Sequence, residues 1–140
     1  SFEVGDTVVH QLLSEAHVKA PYVVEELMRK DSLELTEDDR IVIRQAVEQA
    51  EEARIVITHG TDTMTETATY LNSVRDKTIV LTGALAPGRF AFTDATFNVG
   101  MAFAAVQALT AGVYIVMNGT LFNAGEVVKD KLTNTFVRVQ

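Results

Sequence analysis

Three uninterrupted apolar runs constrain the fold of this chain more than any other feature. They cover residues 55–57, 78–81 and 113–117, and their apolar residues follow one another instead of alternating with polar ones. Such runs are typical of parallel strands that helices cover on both faces. Segments with helical periodicity, residues 63–74 and 94–109, separate the runs, and this spacing favours right-handed crossovers. The sequence therefore predicts an α/β fold: a doubly wound, mainly parallel sheet with helices on both faces, a Rossmann-like three-layer sandwich.

Weaker patterns predict the remaining elements. Residues 4–17 have helical periodicity, residues 22–28 favour a strand, and Thr36 with Asp39 three positions later predicts a capped helix start. No strand candidate precedes residue 4, so we expect residues before Ser1 to supply the first strand, or the sheet to have an unusual edge. Helix 94–109 is apolar nearly all round, which predicts deep burial or an oligomer contact. Core positions are expected at Met64, Phe97 and Met101.

Composition excludes several classes of function. A length of 140 residues predicts one domain, residues 1–140. The chain has no cysteine, which excludes disulfides, thiolate catalysis and zinc–sulfur sites, and its three histidines do not have metal-ligand spacing. We therefore expect neither a metal nor a cofactor. A net charge of −7 without a basic patch argues against nucleic acid, and no apolar stretch is long enough for a membrane span. Without a signal peptide, a cytoplasmic location is predicted.

Small polar turns follow all three predicted strands. Parallel strands bring their carboxyl ends to one edge of the sheet, where open α/β folds bind ligands. Glycine in such turns allows close backbone approach and exposes N–H donors. Glycine also ends strands in proteins without a ligand site, and this signal alone does not separate the two interpretations. The turns are Thr58-His59-Gly60, Thr82-Gly83-Ala84 and Asn118-Gly119-Thr120.

The strongest candidate for chemistry combines Thr61, Asp62 and Lys129. A threonine hydroxyl becomes a nucleophile when a neighbouring base takes its proton. A desolvated lysine can be that base, and an adjacent carboxylate can orient it or bind a substrate ammonium group. The competing interpretation of Thr61 and Asp62 is helix capping, which spacing alone favours. Lys129 by itself would be a solvated surface lysine.

Three further polar positions have simpler interpretations. His59, at the end of an apolar strand, is expected to be a hydrogen-bonded structural residue. Asp31-Ser32 either binds a substrate carboxylate or forms an ordinary turn, and Asp94 is expected to cap its helix.

At these positions the chain resembles the bacterial-type L-asparaginase family. His59-Gly60-Thr61-Asp62-Thr63-Met64 with Glu66-Thr67-Ala68 is similar to the family's second signature. Further segments agree in order across residues 2–136: Lys30-Asp31-Ser32, Thr82-Gly83-Ala84, Phe97-Asn98, Met117-Asn118-Gly119 and Val128-Lys129.

The resemblance implies a role for each site residue. Thr61, Asp62 and Lys129 would form one of the family's two threonine-centred triads, and Asp62 would also meet the substrate amino group. Asp31 and Ser32 would lie near the substrate carboxylate. The backbone of Gly60, Thr61 and Ala84 would surround the amide. The implied reaction converts asparagine to aspartate and ammonia, without a cofactor.

The chain also departs from the family pattern. The first signature, Thr-Gly-Gly-Thr-Ile, is not found in residues 1–140 and would fall before Ser1, and Phe2 aligns with the family's flexible-loop tyrosine. The family's C-terminal domain is absent too, so the chain resembles the short, single-domain members. Three hypotheses remain: an asparaginase-like amidohydrolase acting on a small amino-acid amide, a non-catalytic amino-acid-binding or sensing module, or an enzyme that acts on another small amide or a lactone. The resemblance further implies a homodimer or homotetramer.

Overall fold

The computed structural model of the protein describes residues 6–86 and 93–139. Its helices and strands follow the predicted alternation, and three additional short strands follow the third predicted one. In chain order the elements are α1 (Asp6–Glu15), a 3₁₀ turn (Ser32–Glu34), α2 (Glu37–Gln49), β1 (Arg54–Thr58), α3 (Met64–Leu71), β2 (Thr78–Thr82), α4 (Ala95–Ala108), β3 (Gly112–Met117), β4 (Thr120–Asn123), β5 (Val127–Asp130) and β6 (Thr135–Arg138).

Within the described residues, four strands form the central sheet in the order β1-β2-β3-β4. The first three are parallel, with Ile55 opposite Ile79 and Ile79 opposite Val113, and β4 is antiparallel to β3. β5 and β6 form a separate antiparallel hairpin. The predicted α/β fold with a mainly parallel sheet and helices on both faces is therefore confirmed.

The turn after β3 is a hairpin that leads into a strand absent from the predicted elements. Asn118 and Gly119 both have positive φ, 49° and 88°, and they connect Met117 directly to its partner Thr120. An Asn-Gly pair with two positive φ values is typical of the type I′ turn that joins antiparallel strands. The signal for β4 was thus present in the sequence.

Helices on opposite faces of the sheet decide the hand of the crossovers. On β2, Ile79 and Leu81 pack with α3 on one face, whereas Val80 packs with α4 on the other. The steps from β1 to β2 and from β2 to β3 nevertheless run in the same direction across the sheet. Two such steps through opposite faces have opposite hands, so the predicted right-handed crossover is wrong for one of them. About 98% of such connections are right-handed, so one of these two crossovers belongs to the rare left-handed class.

The prediction of a strand over residues 22–28 is wrong. No strand is assigned between residues 21 and 31, although exposure alternates along 21–28 as in an extended chain. This segment and β1 both line a groove of about 570 Å³. A strand needs a hydrogen-bonded partner, and β1, the edge strand among the described residues, pairs with β2.

The helix predictions agree with the structure in part. Thr36 and Asp39 form the predicted capping box, and α1 falls within the predicted range, of which residues 4 and 5 lie outside the described part. Met64 is fully buried as expected, and Met101 is partly buried against the core. Phe97 is 59% exposed, so its assignment to the core is wrong. Because α4 is apolar on nearly all sides, its sequence does not indicate which side faces the sheet.

Candidate active site

The site lies where β1 ends and the chain turns into α3. Residues 59–63 form this turn, and β2 ends beside it, because the backbone N–H of His59 donates to the carbonyl of Thr82 at 2.9 Å. Lys129 reaches the turn from β5. The carboxyl edge of the parallel strands therefore holds the predicted residues.

Lys129 joins Thr61 and Asp62 through its ammonium group. Its Nζ donates to Thr61 Oγ1 and to Asp62 Oδ1, both at 2.8 Å. Thr61 is buried, and only 11% of the Lys129 side chain and 24% of the Asp62 side chain are exposed. Hydrogen bonds between such charged, poorly solvated groups are stronger than those at an open surface. The fold thus brings an amine to a hydroxyl and a carboxylate that lie 68 and 67 positions earlier in the chain.

Helix capping, the interpretation that spacing favoured for Thr61 and Asp62, is wrong. The N-cap residue of α3 is Thr63, and it makes no side-chain cap hydrogen bond. Its hydroxyl instead donates to the backbone carbonyl of Ser32 at 2.7 Å. The hydroxyl and the carboxylate of the preceding two residues are held by Lys129, so tertiary contacts displace the local cap.

Ser32 is hydrogen-bonded directly to the turn. It is fully buried, and its Oγ accepts a hydrogen bond from the Asp62 N–H at 3.1 Å. Asp31 caps the 3₁₀ turn by accepting from the Leu33 N–H. A Cβ at Gly60 would lie 2.7 Å from the Ser32 Cβ, so glycine is required for this approach. The structure thus brings Ser32, Gly60 and Asp62 into direct contact.

Ala84 lies on the neighbouring strand end and is buried. Its connection to the site runs through Gly83, where an added Cβ would lie 2.2 Å from the His59 carbonyl oxygen and 3.1 Å from the Met64 side chain. The two strand ends are therefore packed backbone against backbone.

Asp94 does not cap its helix as predicted. It occupies the N-cap position of α4 without a side-chain cap bond, and its carboxylate accepts from the Leu85 and Ala86 N–H groups at 3.0 and 3.1 Å. The Asn118 side chain also donates to it, at 2.8 Å. Burial raises the pKa of Asp94, but these hydrogen bonds outweigh it and hold the pKa below its usual value.

Asn98 completes this network, although it is not among the predicted site residues. It is fully buried, its amide donates to the Gly83 carbonyl at 2.8 Å, and its Oδ1 accepts from the Asn118 N–H at 2.9 Å. The strand ends of β2 and β3 are thereby tied to the start of α4. An asparagine within a mostly apolar helix is the signal in the sequence.

The sequence model of the family described as Asparaginase, N-terminal, matches residues 3–137. The chain belongs to the asparaginase family. The resemblance that the sequence analysis noted is therefore confirmed, and the matched range includes every residue of the site.

Several curated relatives agree with this membership. Glutaminase-asparaginase of Acinetobacter glutaminasificans is 44% identical over 54% of this chain, and L-asparaginase 2 of Escherichia coli is 42% identical over 56%. A glutamyl-tRNA(Gln) amidotransferase protein of Methanococcus vannielii is 39% identical over 62%. The matched stretches cover 24%, 24% and 22% of these relatives, so this chain spans well under two thirds of their length.

Neither a membrane-spanning helix nor a metal-binding cluster is found within the described residues. None of the helices in residues 6–86 and 93–139 is long and apolar enough to cross a membrane. The same part of the chain contains no group of three metal-ligating side chains. The cytoplasmic location stays a prediction. Phe2, aligned with the family's tyrosine, lies outside the described residues.

We predict that Gly83→Ala destabilises the protein by about 1–3 kcal/mol, because its Cβ has no room beside the His59 carbonyl. Gln45→Ala is the control. Gln45 is exposed on α2, so this change should alter the stability by less than about 0.5 kcal/mol. Urea unfolding measures both. Equal effects of the two substitutions would contradict the close packing of the strand ends.

We predict a pH-dependent loss of stability for Asp94→Asn. Because the pKa of Asp94 is lowered in the folded state, its contribution is present above about pH 4, the unfolded value, and is lost as pH falls through the folded pKa. The variant should therefore be less stable than the wild type at pH 7, and the difference should shrink on acidification. Asp76→Asn is the control, since Asp76 is exposed at a positive φ that asparagine also tolerates. A difference independent of pH would refute the carboxylate's role.

Proposed function

We propose that this domain hydrolyses the side-chain amide of L-asparagine, or of a related small amino-acid amide, to the acid and ammonia. The observation that carries the proposal is the contact of Lys129 Nζ with both Thr61 Oγ1 and Asp62 Oδ1. Family membership and the relatives named asparaginase and glutaminase-asparaginase support an amide as the substrate.

The proposed chemistry uses Thr61 as the nucleophile and Lys129 as the base. In its neutral amine form Lys129 takes the hydroxyl proton while Thr61 Oγ forms a bond to the amide carbon. The C–N bond then breaks, and Lys129 returns the proton to the leaving nitrogen, which departs as ammonia. A water molecule cleaves the resulting ester, its proton passes through Lys129 to Thr61 Oγ, and the acid is released.

Backbone groups of the same turns are the proposed donors to the developing oxyanion. The N–H groups of Gly60, Thr61 and Ala84 belong to strand ends that are packed closely together. Donors fixed before the reaction cost no reorganisation when charge develops, and such preorganisation is commonly the largest catalytic contribution.

Asp62, Ser32 and Asp31 are proposed to form the part of the site that binds the substrate. Asp62 is partly exposed, so a substrate ammonium group can reach the carboxylate that Lys129 already contacts. Ser32 is fully buried and acts from behind the turn, because its hydroxyl accepts from the Asp62 N–H and so fixes the residue that meets the substrate. Asp31 acts by shaping the 3₁₀ turn, because its carboxylate is bonded to the Leu33 N–H.

The second candidate is an amino-acid-binding or sensing module without turnover. The observation that favours it is that the partly exposed Asp62 carboxylate can bind an ammonium group whether or not Thr61 reacts. Such a module would bind L-aspartate or L-asparagine through the same turn, and titration calorimetry would show binding without ammonia release.

We also propose that the protein is a homodimer or homotetramer that associates through α4. The outer side of this helix exposes Phe97 together with the small residues Gly100 and Ala104. A protruding aromatic side chain among small residues is suited to close helix packing against a second copy. Light scattering at micromolar concentration should give a dimer or tetramer, and Phe97→Glu should give a monomer. A monomeric wild type would contradict this.

The catalytic assignment predicts that Thr61→Ala and Lys129→Met each lower ammonia release from L-asparagine by on the order of 10³-fold or more. Thr61→Ala removes the nucleophile and Lys129→Met removes the base. Thr69→Ala and Lys131→Met are the matched controls, because both residues are exposed and lie near the respective targets in the chain. These controls should retain wild-type activity.

Equal ammonia release by the wild type and by both site variants would refute the enzyme assignment. Absence of hydrolysis together with calorimetric binding of L-aspartate, lost in Asp62→Ala, would instead establish the binding module.

A further inference from the structure

A buried chain of hydrogen bonds runs beneath the candidate site and plays no part in the mechanism proposed above. It begins at Arg40 on α2, whose Nε donates to Thr67 Oγ1 on α3 at 3.1 Å. Thr67 Oγ1 lies 2.8 Å from His59 Nε2, and His59 Nδ1 lies 2.6 Å from the Gly60 carbonyl oxygen. Arg40, Thr67 and His59 are all buried.

The chemistry of these groups fixes the direction of every bond. A carbonyl oxygen can only accept, so His59 Nδ1 carries a proton and donates it to Gly60. In the neutral ring Nε2 is then an acceptor, so the Thr67 hydroxyl donates to it. That hydroxyl in turn accepts from Arg40. Donation thus proceeds from the guanidinium group through Thr67 and His59 to the carbonyl of Gly60.

We infer that His59 is a positioning residue for the proposed reaction, which it serves through the peptide group between Gly60 and Thr61. A hydrogen bond to the Gly60 oxygen fixes the plane of this peptide and polarises it, so that the Thr61 N–H becomes a better donor. This N–H is one of the proposed oxyanion donors. The catalytic consequence rests on the proposed function, whereas the hydrogen-bond chain does not.

Polarisation along the chain is strengthened by its charged end. Arg40 draws electron density from the Thr67 oxygen, which makes that hydroxyl a stronger donor to the ring, and each bond reinforces the next in a poorly solvated interior. Glu66 offsets the guanidinium charge at 3.3 Å, but 65% of the Glu66 side chain is exposed to water. Water weakens the effect of the Glu66 carboxylate, so the Arg40 guanidinium group still polarises the Thr67 hydroxyl.

The surroundings keep the ring in the neutral state that the chain requires. Burial lowers the pKa of His59, and the nearby Arg40 charge lowers it further, while the bond to Gly60 and the charge of Glu66 act in the opposite direction and are outweighed. Both ring nitrogens are engaged within the protein, so His59 has no free position from which to act as a general base.

Nitrogen NMR of the histidine side chains tests the chain without any substrate. At pH 7, His59 should show a protonated Nδ1 and an unprotonated Nε2. In Thr67→Val the Thr61 amide proton should move upfield, because the donor that polarises the ring is lost. A proton on Nε2 of His59, or an unmoved Thr61 amide, would overturn the inference.

Kinetics test the positioning role. Thr67→Val should lower kcat on the order of 10-fold with KM nearly unchanged, a smaller loss than removal of an oxyanion donor itself. Thr67→Ser keeps the hydroxyl and should restore kcat, and Thr69→Val on the exposed side of the same helix is the control. An unchanged kcat in folded Thr67→Val would refute the role. If the wild type releases no ammonia, the proposed function fails. The NMR experiment then tests the hydrogen-bond chain independently of catalysis.

Discussion

Close packing of bare backbone at the ends of β1 and β2 is the constraint on which the rest of the site depends. The loop at Ser32, the turn at Gly60 and the strand end at Gly83 approach one another so closely that a Cβ at either glycine would overlap its neighbour. This approach allows Ser32 to bond directly to the turn. Asp62 is consequently held at its backbone N–H by Ser32 as well as at its carboxylate by Lys129.

Residues that local rules assign to helix caps are used here to join distant loops. Thr63 and Asp94 occupy the N-cap positions of α3 and α4, yet neither makes a cap bond with its side chain. Thr63 bonds to Ser32, and Asp94 bonds to the loop after β2 and to Asn118. A cap contributes about 1 kcal/mol. These side chains connect three strand ends instead. The helices therefore lack the stabilisation of a side-chain cap, and the turns are held in fixed positions.

The elements predicted correctly from the sequence are those whose hydrophobic pattern follows from their burial. Continuous apolar runs identified β1, β2 and β3, because strands covered on both faces have no polar side. The extended segment 22–28 has the same local signal, but strand formation requires a partner in space, and periodicity does not report one. The hand of the crossovers was missed for a related reason, since it depends on which face each helix covers. The hairpin at Asn118-Gly119 was missed although its signal is local.

The candidate site was predictable only through family resemblance. Lys129 lies 67 residues from Asp62 on a strand that no pattern indicated, and its own surroundings in the sequence are those of a surface lysine. Helical spacing favoured capping for Thr61 and Asp62, and only the folded chain shows otherwise. The chain from Arg40 to Gly60 likewise joins α2, α3 and the turn after β1, so no stretch of sequence contains it.

The geometry around Asp62 gives one carboxylate two proposed partners. Lys129 Nζ holds Asp62 Oδ1 at 2.8 Å, and 24% of the Asp62 side chain remains exposed. In the proposed complex the ammonium group of an amino-acid substrate would contact the exposed part of the same carboxylate. Hydrogen bonds between such charged groups are short and strong. The position of the substrate and the position of the proposed base would thus depend on one side chain, and Asp62 would align the amide with Thr61 by binding both the substrate and Lys129.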